Sequence, residues 1–420
     1  MAIANEPVAA QYESWVYPQP VLDIAEAVAT KKYFDLSDPA LFRRKLWPKK
    51  VEPDDLDILI AGCGANQAAY YAFANPASRV VGIDISGTSL EHGKFLKQKH
   101  NLHNLALYHL NLEETASLER TFDLIVSSGV LHHLPDPGAG LRALRDVLKP
   151  HGVMSLMVYG YYPRIGVHML QEAFRVLGVQ QDAAGIEMLK HTLNNVLPRW
   201  HHLDSYIDSD RGFDAGLVDT YLHPRERAYT VPEVLQFVRE NQLQFQGWLD
   251  NLDYSVSLHI PRPQDPLLRL IEALPVEEQW QLVELIGQSL ARQSFLVCHV
   301  DRPATDYTLD FTRQAWLDYV PSLRRPIAIR SGQHFESNDR PPVTTTVVER
   351  YGHRVELNTL EAALLTRVDG KRPIREIIND DALNESDAPQ RVQGRRRLRR
   401  LARKFFARMA DWDHLQYEIP

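Results

Sequence analysis

The sequence predicts an α/β fold built on a doubly wound, mostly parallel sheet. Between residues 56 and 160, short apolar runs alternate with helix-length amphipathic stretches, which is typical of parallel strands joined by crossover helices. Two further apolar runs between residues 244 and 301 raise the number of predicted strands to seven. The chain has 420 residues, more than one domain of ordinary size holds, so we expect a smaller additional domain.

Each predicted strand is a short apolar run bounded by turn or helix signals. The runs are 56–62, 78–86, 105–112, 122–131, 152–160, 244–251 and 294–301. The segments between the first five have apolar residues at a spacing near 3.6 and carry helix-stop signals. Ligands of such sheets bind at the carboxyl ends of the strands, so the loops at that edge form the candidate site.

Helical segments interrupt and flank this sheet. Their periodicity predicts helical insertions at 161–229 and 262–292, the first of which forms a cap. The predicted organisation is a helical N-terminal lid at 1–50, the sheet domain at 51–301, a polar, Pro-rich connector at 302–342 and a small winged-helix-like α+β domain at 343–420.

Charge is distributed unevenly along the chain. It has 47 basic and 54 acidic residues, a net charge of −7, yet residues 391–408 contain nine Arg or Lys and no acid, which leaves −16 elsewhere. The acidity of the bulk argues against nucleic-acid binding by most of the protein. The basic segment remains a candidate contact for an acidic partner.

The two cysteines, Cys63 and Cys298, are too few for a disulfide framework or a Cys-rich zinc site and fit a reducing compartment. The chain has no run of 18 apolar residues, and its N-terminus lacks a basic-then-apolar leader. We therefore expect a soluble, cytoplasmic protein without membrane contact.

The strongest motif begins where the first strand ends. In LIAGCGANQ, Gly62 and Gly64 form a tight turn into a helix, where glycine lets backbone N–H groups approach a ligand closely. Twenty residues on, Asp84 ends the second strand, placed to accept hydrogen bonds from ribose hydroxyls. A dinucleotide-binding loop has a third glycine where this chain has Gln67. A ligand with a ribose and no pyrophosphate fits better.

The order of motifs resembles class I S-adenosylmethionine-dependent methyltransferases. After the glycine loop and Asp84 come LNLEE at the third strand, VLHHLPDP after the fourth and LKPHG before the fifth. The last differs from the family's LKPGG by one glycine, at His151. The resemblance covers residues 55–160 closely and, by strand order, extends to about residue 301.

The resemblance implies S-adenosyl-L-methionine as cofactor, no metal, and one set of cofactor-binding residues. Those implied around the methionine part are Gly62, Cys63, Gly64 and Ala65. Asp84 would hold the ribose. Those implied around the adenine are Ile85, Asn111 and Leu112, and those beneath the sulfonium are Ser128 and Gly129.

Candidates for catalysis surround this edge of the sheet. His132 and His133 stand at the rim of the fourth strand, where a base could remove a proton from the acceptor, although the family also uses such a pair structurally. Tyr17 belongs to an N-terminal segment, with Tyr12 and Trp15, that either closes over the cofactor or packs on the sheet edge. Tyr221 lies in the polar stretch 219–230, which is either a substrate-facing loop or a solvated helix cap.

A metal site is not expected at the two adjacent histidine pairs, His132–His133 and His201–His202. Neighbouring side chains on a strand or helix point apart, and no Cys or suitably spaced carboxylate joins either pair.

The C-terminal part resembles the small winged-helix module of the PqqD peptide-binding family. The resemblance rests on residues 353–378, with a strand ending in LN, a helix, the Asp369–Gly370 turn and a second helix. It implies capture of a peptide along a strand edge. The Arg-rich helix 395–408 that follows has one apolar face. Its basic face is either solvated, paired with the acidic main domain, or bound to nucleic acid or an acidic protein.

Three functions follow from these observations. The first is a methyltransferase acting on a protein or peptide side chain, favoured by the C-terminal module and by resemblance in layout to bacterial protein-lysine methyltransferases with a regulatory C-terminal region. The second is a small-molecule O- or N-methyltransferase whose C-terminal part mediates a homodimer. The third is a non-catalytic, cofactor-binding regulator that acts on DNA through the winged helix.

Overall fold

The computed structural model describes residues 7–30, 35–51, 55–198, 201–205, 211–260, 264–287, 290–334, 343–379 and 388–420. The chain divides into two compact units. Unit 1 comprises residues 1–40, 53–249 and 264–302, and unit 2 comprises residues 41–52, 250–263 and 303–420.

Unit 1 contains the predicted seven-stranded sheet. Its strands are β1 (Asp57–Ala61), β2 (Arg79–Asp84), β3 (Leu105–His109), β4 (Phe122–Ser128), β5 (Leu148–Tyr159), β6 (Leu243–Trp248) and β7 (Arg292–His299). The strand order is β3-β2-β1-β4-β5-β7-β6, and β7 is antiparallel to both of its neighbours. The predicted doubly wound, mostly parallel α/β fold is therefore confirmed.

One strand begins earlier than the sequence predicts. Phe122 pairs with Leu148, and after a shift in register Leu124 pairs with Val153. The intervening Lys-Pro-His-Gly residues thus form an irregular stretch inside β5. His151, which stands where the family has a glycine, lies in this stretch and away from the carboxyl edge of the sheet.

Helices precede, join and interrupt the strands. They are α1 (Pro7–Ser14), α2 (Ile24–Ala29), α3 (Pro39–Leu46), α4 (Gln67–Ala74), α5 (Gly87–Lys99), α6 (Pro137–Asp146), α7 (Ile165–Leu177), α8 (Ala183–His191), α9 (Asp214–Tyr221), α10 (Val231–Glu240), α11 (Val256–His259), α12 (Pro266–Glu272) and α13 (Val276–Gly287). Helices α7, α8 and α9 share a buried apolar cluster, which is the core of the predicted cap. The predicted long helical stretch before β7 is split into α12 and α13 around Pro275, because proline lacks the N–H that helix continuation needs.

Unit 2 combines small antiparallel sheets with helices. Its elements, besides α11, are β8 (Val320–Leu323), β9 (Ala328–His334), β10 (Val343–Arg350), β11 (His353–Leu357), α14 (Thr359–Leu365), α15 (Ile374–Ile378), α16 (Ala388–Asp411) and β12 (Leu415–Glu418). The sheets have the orders β11-β10-β9 and β12-β8. The strand β11, the helices α14 and α15 and the turn at Gly370 follow the predicted order, and the relation to the PqqD module stays a prediction.

The predicted boundaries differ from these units in three places. Trp316, Leu317 and Tyr319 are buried in the core of unit 2, so this part of the predicted connector belongs to a folded unit. Residues 41–50, placed in the predicted lid, and residues 250–263, placed in the predicted sheet domain, also belong to unit 2. The sequence shows these stretches only as polar or Pro-rich, because their partners are distant along the chain.

A buried network of charges joins the separate segments of unit 2. The guanidinium of Arg350 donates to both carboxylate oxygens of Asp250, at 2.9 and 2.6 Å. Asp413 lies 2.6 Å from Arg324 Nη1 and accepts from Lys45 Nζ at 3.0 Å. Burial alone would raise the pKa of Asp413, but the charges of Arg324 and Lys45 hold it below its usual range.

Candidate active site

Two glycines give the loop after β1 its shape. Gly62 and Gly64 have φ values of +76° and +51°, which other residues adopt at a cost. A Cβ on Gly62 would lie 2.3 Å from Val130 Cγ2, and one on Gly64 would lie 3.2 Å from Pro18 Cδ. The positive φ values and the short distances from an added Cβ both disfavour a side chain at these two positions. The absence of a Cβ leaves the loop backbone open to close approach by a ligand.

The residues between and after these glycines point into the protein. Cys63 is buried, with Sγ 3.1 Å from where a Cβ on Gly82 would lie, and burial raises the pKa of its thiol. Ala65 is also buried. Any contact of Cys63 with a cofactor would therefore be through its backbone.

Asp84 links the ends of β1 and β2. Its carboxylate accepts the N–H of Gly64 at 2.7 Å and the N–H of Ser86 at 2.9 Å. Burial raises the pKa of this carboxyl, and the backbone donors act in the opposite direction. A carboxylate has about four lone-pair sites, so Asp84 keeps capacity to accept a hydrogen bond from a ribose hydroxyl. A carboxylate acceptor beside the glycine loop fits S-adenosylmethionine.

The residues implied around the adenine follow β2 and β3. The Ile85 carbonyl accepts from His109 Nε2 at 2.8 Å. Asn111 accepts the N–H of Glu113 at 3.2 Å as the cap of a short 3₁₀ helix, and Leu112 is buried. Ile85 and Asn111 are half-exposed, and Ile85, the apolar one of the two, is better suited to contact with a flat ring.

The end of β4 completes this edge. Ser128 is exposed, and Gly129 has a φ of +76° with its N–H donating to the Met157 carbonyl at 3.2 Å. Val130, which follows, contacts Gly62 as described above. The structure thus brings the ends of β1, β2 and β4 together, as the resemblance implies.

The N-terminal segment lies across the first two loops. Besides Pro18, the carbonyl of Tyr17 lies 3.4 Å from the Cβ position of Gly64. The Tyr12 carbonyl accepts from Ser86 Oγ at 3.1 Å, and the Glu13 carboxylate accepts the N–H groups of Gly87 and Thr88. The segment thus packs against the loops after β1 and β2, and its role as a lid stays a prediction.

A cluster of three histidines and one tyrosine lies behind this edge. We call His132, His133, His223 and Tyr159 the histidine cluster. The rings of His133 and His223 stack with centroids 3.8 Å apart, and the His132 ring lies 4.1 Å from those of His133 and Tyr159. The predicted pair after β4 is therefore joined by a histidine from the stretch 219–230.

Hydrogen bonds fix which nitrogen of His133 carries the proton. Its Nδ1 lies 2.8 Å from the Arg225 carbonyl, which can only accept, so Nδ1 is the donor and Nε2 has the lone pair. Neither His133 Nε2 nor either nitrogen of His132 has a hydrogen-bond partner among the described residues. Burial lowers the pKa of both imidazoles, so both are neutral at pH 7.

His223 is oriented by its neighbours on the other side. Its Nδ1 accepts the N–H of Arg225 at 3.1 Å, which leaves the proton on Nε2, 3.5 Å from the Tyr12 hydroxyl. That hydroxyl donates to Asp219 at 2.9 Å. Tyr12 therefore connects α1, α9 and the histidine cluster.

A buried ion pair supports the cluster, and sequence reasoning missed it. Arg164 donates to both oxygens of Glu226 at 2.9 and 2.8 Å, and its guanidinium lies 3.8 Å over the ring of Tyr159. Burial would raise the pKa of Glu226, but Arg164 holds it below its usual range. No sequence signal joins two charges 62 residues apart.

Two predicted tyrosines lie outside this cluster. Tyr221 ends α9 and is completely buried in the apolar core of the cap, so its placement does not support a catalytic role. The polar residues around it suggested a loop, but the helix continues through Tyr221 and directs it inward. Tyr17 stacks on Phe213, with ring centroids 6.2 Å apart. Among the described ranges, no group of three His, Cys, Asp or Glu side chains has the arrangement of a metal site.

Comparison with known families defines the class of this site. Residues 59–154 match the family model of the methyltransferase domain. They run from β1 into β5 and contain the glycine loop, Asp84 and the loop after β4. Residues 59–154 are thus similar to methyltransferase domains, and S-adenosylmethionine is the cofactor that this similarity implies.

Curated relatives share parts of the chain. An uncharacterized protein from Synechococcus sp. is 29% identical over 261 residues, which are 60% of this chain and 62% of that protein. The tRNA 5-carboxymethoxyuridine methyltransferase of Escherichia coli is 34% identical over 26% of this chain and 41% of its own length. The ubiquinone biosynthesis O-methyltransferase of Neisseria meningitidis is 27% identical over 28% and 49%. The chain spans less than two thirds of each relative.

Solved structures extend the likeness in fold to unit 2. PKMT2 from Rickettsia typhi has a TM-score of 0.62 at 16% identity, covering 91% of this chain and 76% of its own. Its complex with AdoHcy has a TM-score of 0.63 at 15% identity, covering 92% and 76%. At this identity the likeness shows the fold alone. No helix in the described part of the chain is both long and apolar enough to span a membrane.

Proposed function

We propose that this protein transfers a methyl group from S-adenosylmethionine to a protein or peptide side chain. The observation that carries the methyl-transfer part is the bridge from Gly64 to Asp84. This hydrogen bond holds a carboxylate acceptor beside the glycine loop, within the segment that matches the methyltransferase domain.

The cofactor supplies a methyl group on a sulfonium, an electrophile that needs no metal. Asp84 would hold its ribose, the backbone of Gly62 and Gly64 its methionine part, and Ile85 one face of its adenine. Residues of the lid, Tyr17 and Pro18 above all, would exclude water from the site, which strengthens the electrostatic interactions inside it.

We assign removal of the acceptor's proton to His133. Its Nε2 lone pair has no hydrogen-bond partner among the described residues, and burial keeps the ring neutral. The Arg225 carbonyl accepts from Nδ1 and so stabilises the imidazolium that forms when Nε2 takes a proton. His132 has no such support, because neither of its nitrogens is hydrogen-bonded to a described residue.

The protein acceptor is supported by whole-chain layout. The fold of PKMT2 matches about nine tenths of this chain, so it includes most of unit 2, whereas the ubiquinone and tRNA enzymes match 28% and 26% of the chain. A small-molecule acceptor is the second candidate, because the ubiquinone biosynthesis O-methyltransferase of Neisseria meningitidis is similar over 117 residues.

Cofactor binding is the first test. S-adenosylmethionine and its demethylated product should each raise the melting temperature of the full chain as their concentration rises. Asp84→Ala should abolish the shift, while Glu91→Ala, an exposed acid on α5, should keep it. Absence of a shift for the unaltered protein at millimolar ligand would contradict the proposal.

The acceptor class is tested with methyl-labelled cofactor and an extract divided by size. Incorporation into protease-sensitive macromolecules supports a protein acceptor. Incorporation confined to molecules below about 1 kDa supports the small-molecule alternative, and incorporation sensitive to ribonuclease contradicts both.

A further inference from the structure

One face of α16 is fixed by packing and the other is exposed. Ala402, Phe405, Phe406 and Met409 are buried in the core of unit 2. The opposite face presents seven exposed cations, Arg395, Arg396, Arg397, Arg399, Arg400, Arg403 and Lys404. Since the apolar face is held by the core, the direction in which these cations point is set by the fold.

These seven cations have no hydrogen bond or ion pair with another described residue. By contrast, Arg408, one turn further along the helix, donates to Glu361 at 2.8 Å. Like charges at i and i+4 destabilise a helix. The packing of the apolar face therefore offsets the repulsion among these cations, and a bound anion would reduce that repulsion.

The two units carry charge of opposite sign. Unit 2 has 26 Lys or Arg and 20 Asp or Glu, a net charge of +6, whereas unit 1 has 21 and 34, a net charge of −13. A long polyanion would be attracted by α16 and repelled by the larger part of the same chain. A short, locally acidic ligand avoids that repulsion.

The spacing of the cations suits an extended acidic peptide. Arg395, Arg399 and Arg403 form one row along the helix, with steps of about 6 Å between successive positions. In an extended chain, alternate side chains recur about every 6.6–6.8 Å on one side. Carboxylates at every second residue would therefore meet successive arginines, whose planar guanidinium groups bind carboxylates in pairs of hydrogen bonds.

The same face lacks the features that single-stranded nucleic acids use. Between residues 395 and 404 it offers no aromatic ring on which a base could stack. We therefore infer that α16 binds an extended acidic segment of a protein partner. In an enzyme that methylates proteins this partner is the acceptor, so the inference rests on the proposed function and identifies how the acceptor is recruited.

The test uses the full chain and a fluorescent twelve-residue peptide of alternating Glu and Ser. Binding measured by anisotropy should weaken at least tenfold in Arg395→Gln/Arg399→Gln/Arg403→Gln and should fall steeply as salt rises. The matched control, Arg175→Gln/Arg239→Gln/Arg269→Gln, removes three cations from the surface of unit 1 and should bind as the unaltered protein does. A peptide of alternating Gln and Ser should not bind.

Two results would overturn the inference. The first is equal binding of the peptide by both triple variants, or no binding by any form. The second is tighter binding of a 20-nucleotide poly(U) RNA or a DNA duplex at equal salt, lost in the α16 variant. The cofactor-induced rise in melting temperature should be the same in all three proteins, so a failure here is distinguishable from a failure of the proposed function.

Discussion

The Asp84 carboxylate accepts the backbone N–H of Gly64 at 2.7 Å, and this hydrogen bond joins the carboxyl ends of two neighbouring strands. This one hydrogen bond both positions the carboxylate and fixes the conformation of the glycine loop. The Ser86 N–H donates to the other oxygen, so both carboxylate oxygens are oriented before a ligand binds. The entropy cost of ordering this side chain on cofactor binding is therefore small.

Asp84→Asn should weaken cofactor binding while the protein remains folded. The amide keeps the size of the carboxylate but replaces one acceptor oxygen with a donor, which faces a backbone N–H. Hydrogen bonds to charged groups contribute about 1.5–3 kcal/mol each, so we expect the Kd for S-adenosylmethionine to rise by about ten- to a hundredfold. Titration calorimetry measures this. An affinity within twofold of the unaltered protein would show that Asp84 does not hold the ribose.

Gly62→Ala should destabilise the protein more than Gly178→Ala does. Both glycines have positive φ values, +76° and +69°, but a Cβ on Gly62 would lie 2.3 Å from Val130 whereas one on Gly178 would meet nothing within 4 Å. Backbone strain costs about 1–2 kcal/mol at either site, and overpacking adds about 1–3 kcal/mol at Gly62 alone.

Urea unfolding of both variants measures the difference. Val130→Ala in the Gly62→Ala background should recover part of the loss, because it removes the clashing methyl groups. Equal losses in the two single variants would mean that the loop moves freely away from Val130.

His133→Gln should slow methyl transfer at pH 7 by about 10²-fold or more, the usual contribution of a general base, with cofactor affinity unchanged. His103→Gln, at an exposed site, should have no effect. In the unaltered protein the rate should stay constant from pH 8 to 6.5 and fall only below that, because burial holds the pKa of His133 under its usual value. If the rate instead follows the titration of a group with a pKa above 7, a residue other than His133 removes the proton from the acceptor.

The sheet was predictable because its signals are local. Each strand is a run of apolar residues, and the glycine loop and Asp84 follow directly from two of them. The histidine cluster was predictable only in part. His132 and His133 stood out as a pair at the rim of a strand, but the stacking of His223 on His133 depends on how the cap folds back, which no local pattern reveals.

The errors have the same cause. Tyr221 was assigned to a loop because Asp219 and His223 are polar, yet these two side chains are buried by contacts with the lid and with His133. The ion pair of Arg164 and Glu226 was missed because its partners come from different ends of the cap. Polar residues indicate a loop only when water forms their hydrogen bonds. When a distant part of the chain forms these bonds, the same residues can be buried.

Asp413→Asn should destabilise unit 2 by about 3–5 kcal/mol at pH 7, the cost of leaving buried charges without a partner, here Arg324 and Lys45. Because the folded pKa of Asp413 lies below its unfolded value, its contribution is present above about pH 3.9 and is lost as pH falls through the lower, folded value. Urea unfolding should therefore separate variant and unaltered protein widely at pH 7, and the difference should shrink steadily as pH falls below about 3.9. Asp310→Asn is the control, since Asp310 also has a lowered pKa but is solvated and bonded mainly to Thr312. A loss at Asp413 no larger than at Asp310 would show that water reaches the network and screens its charges.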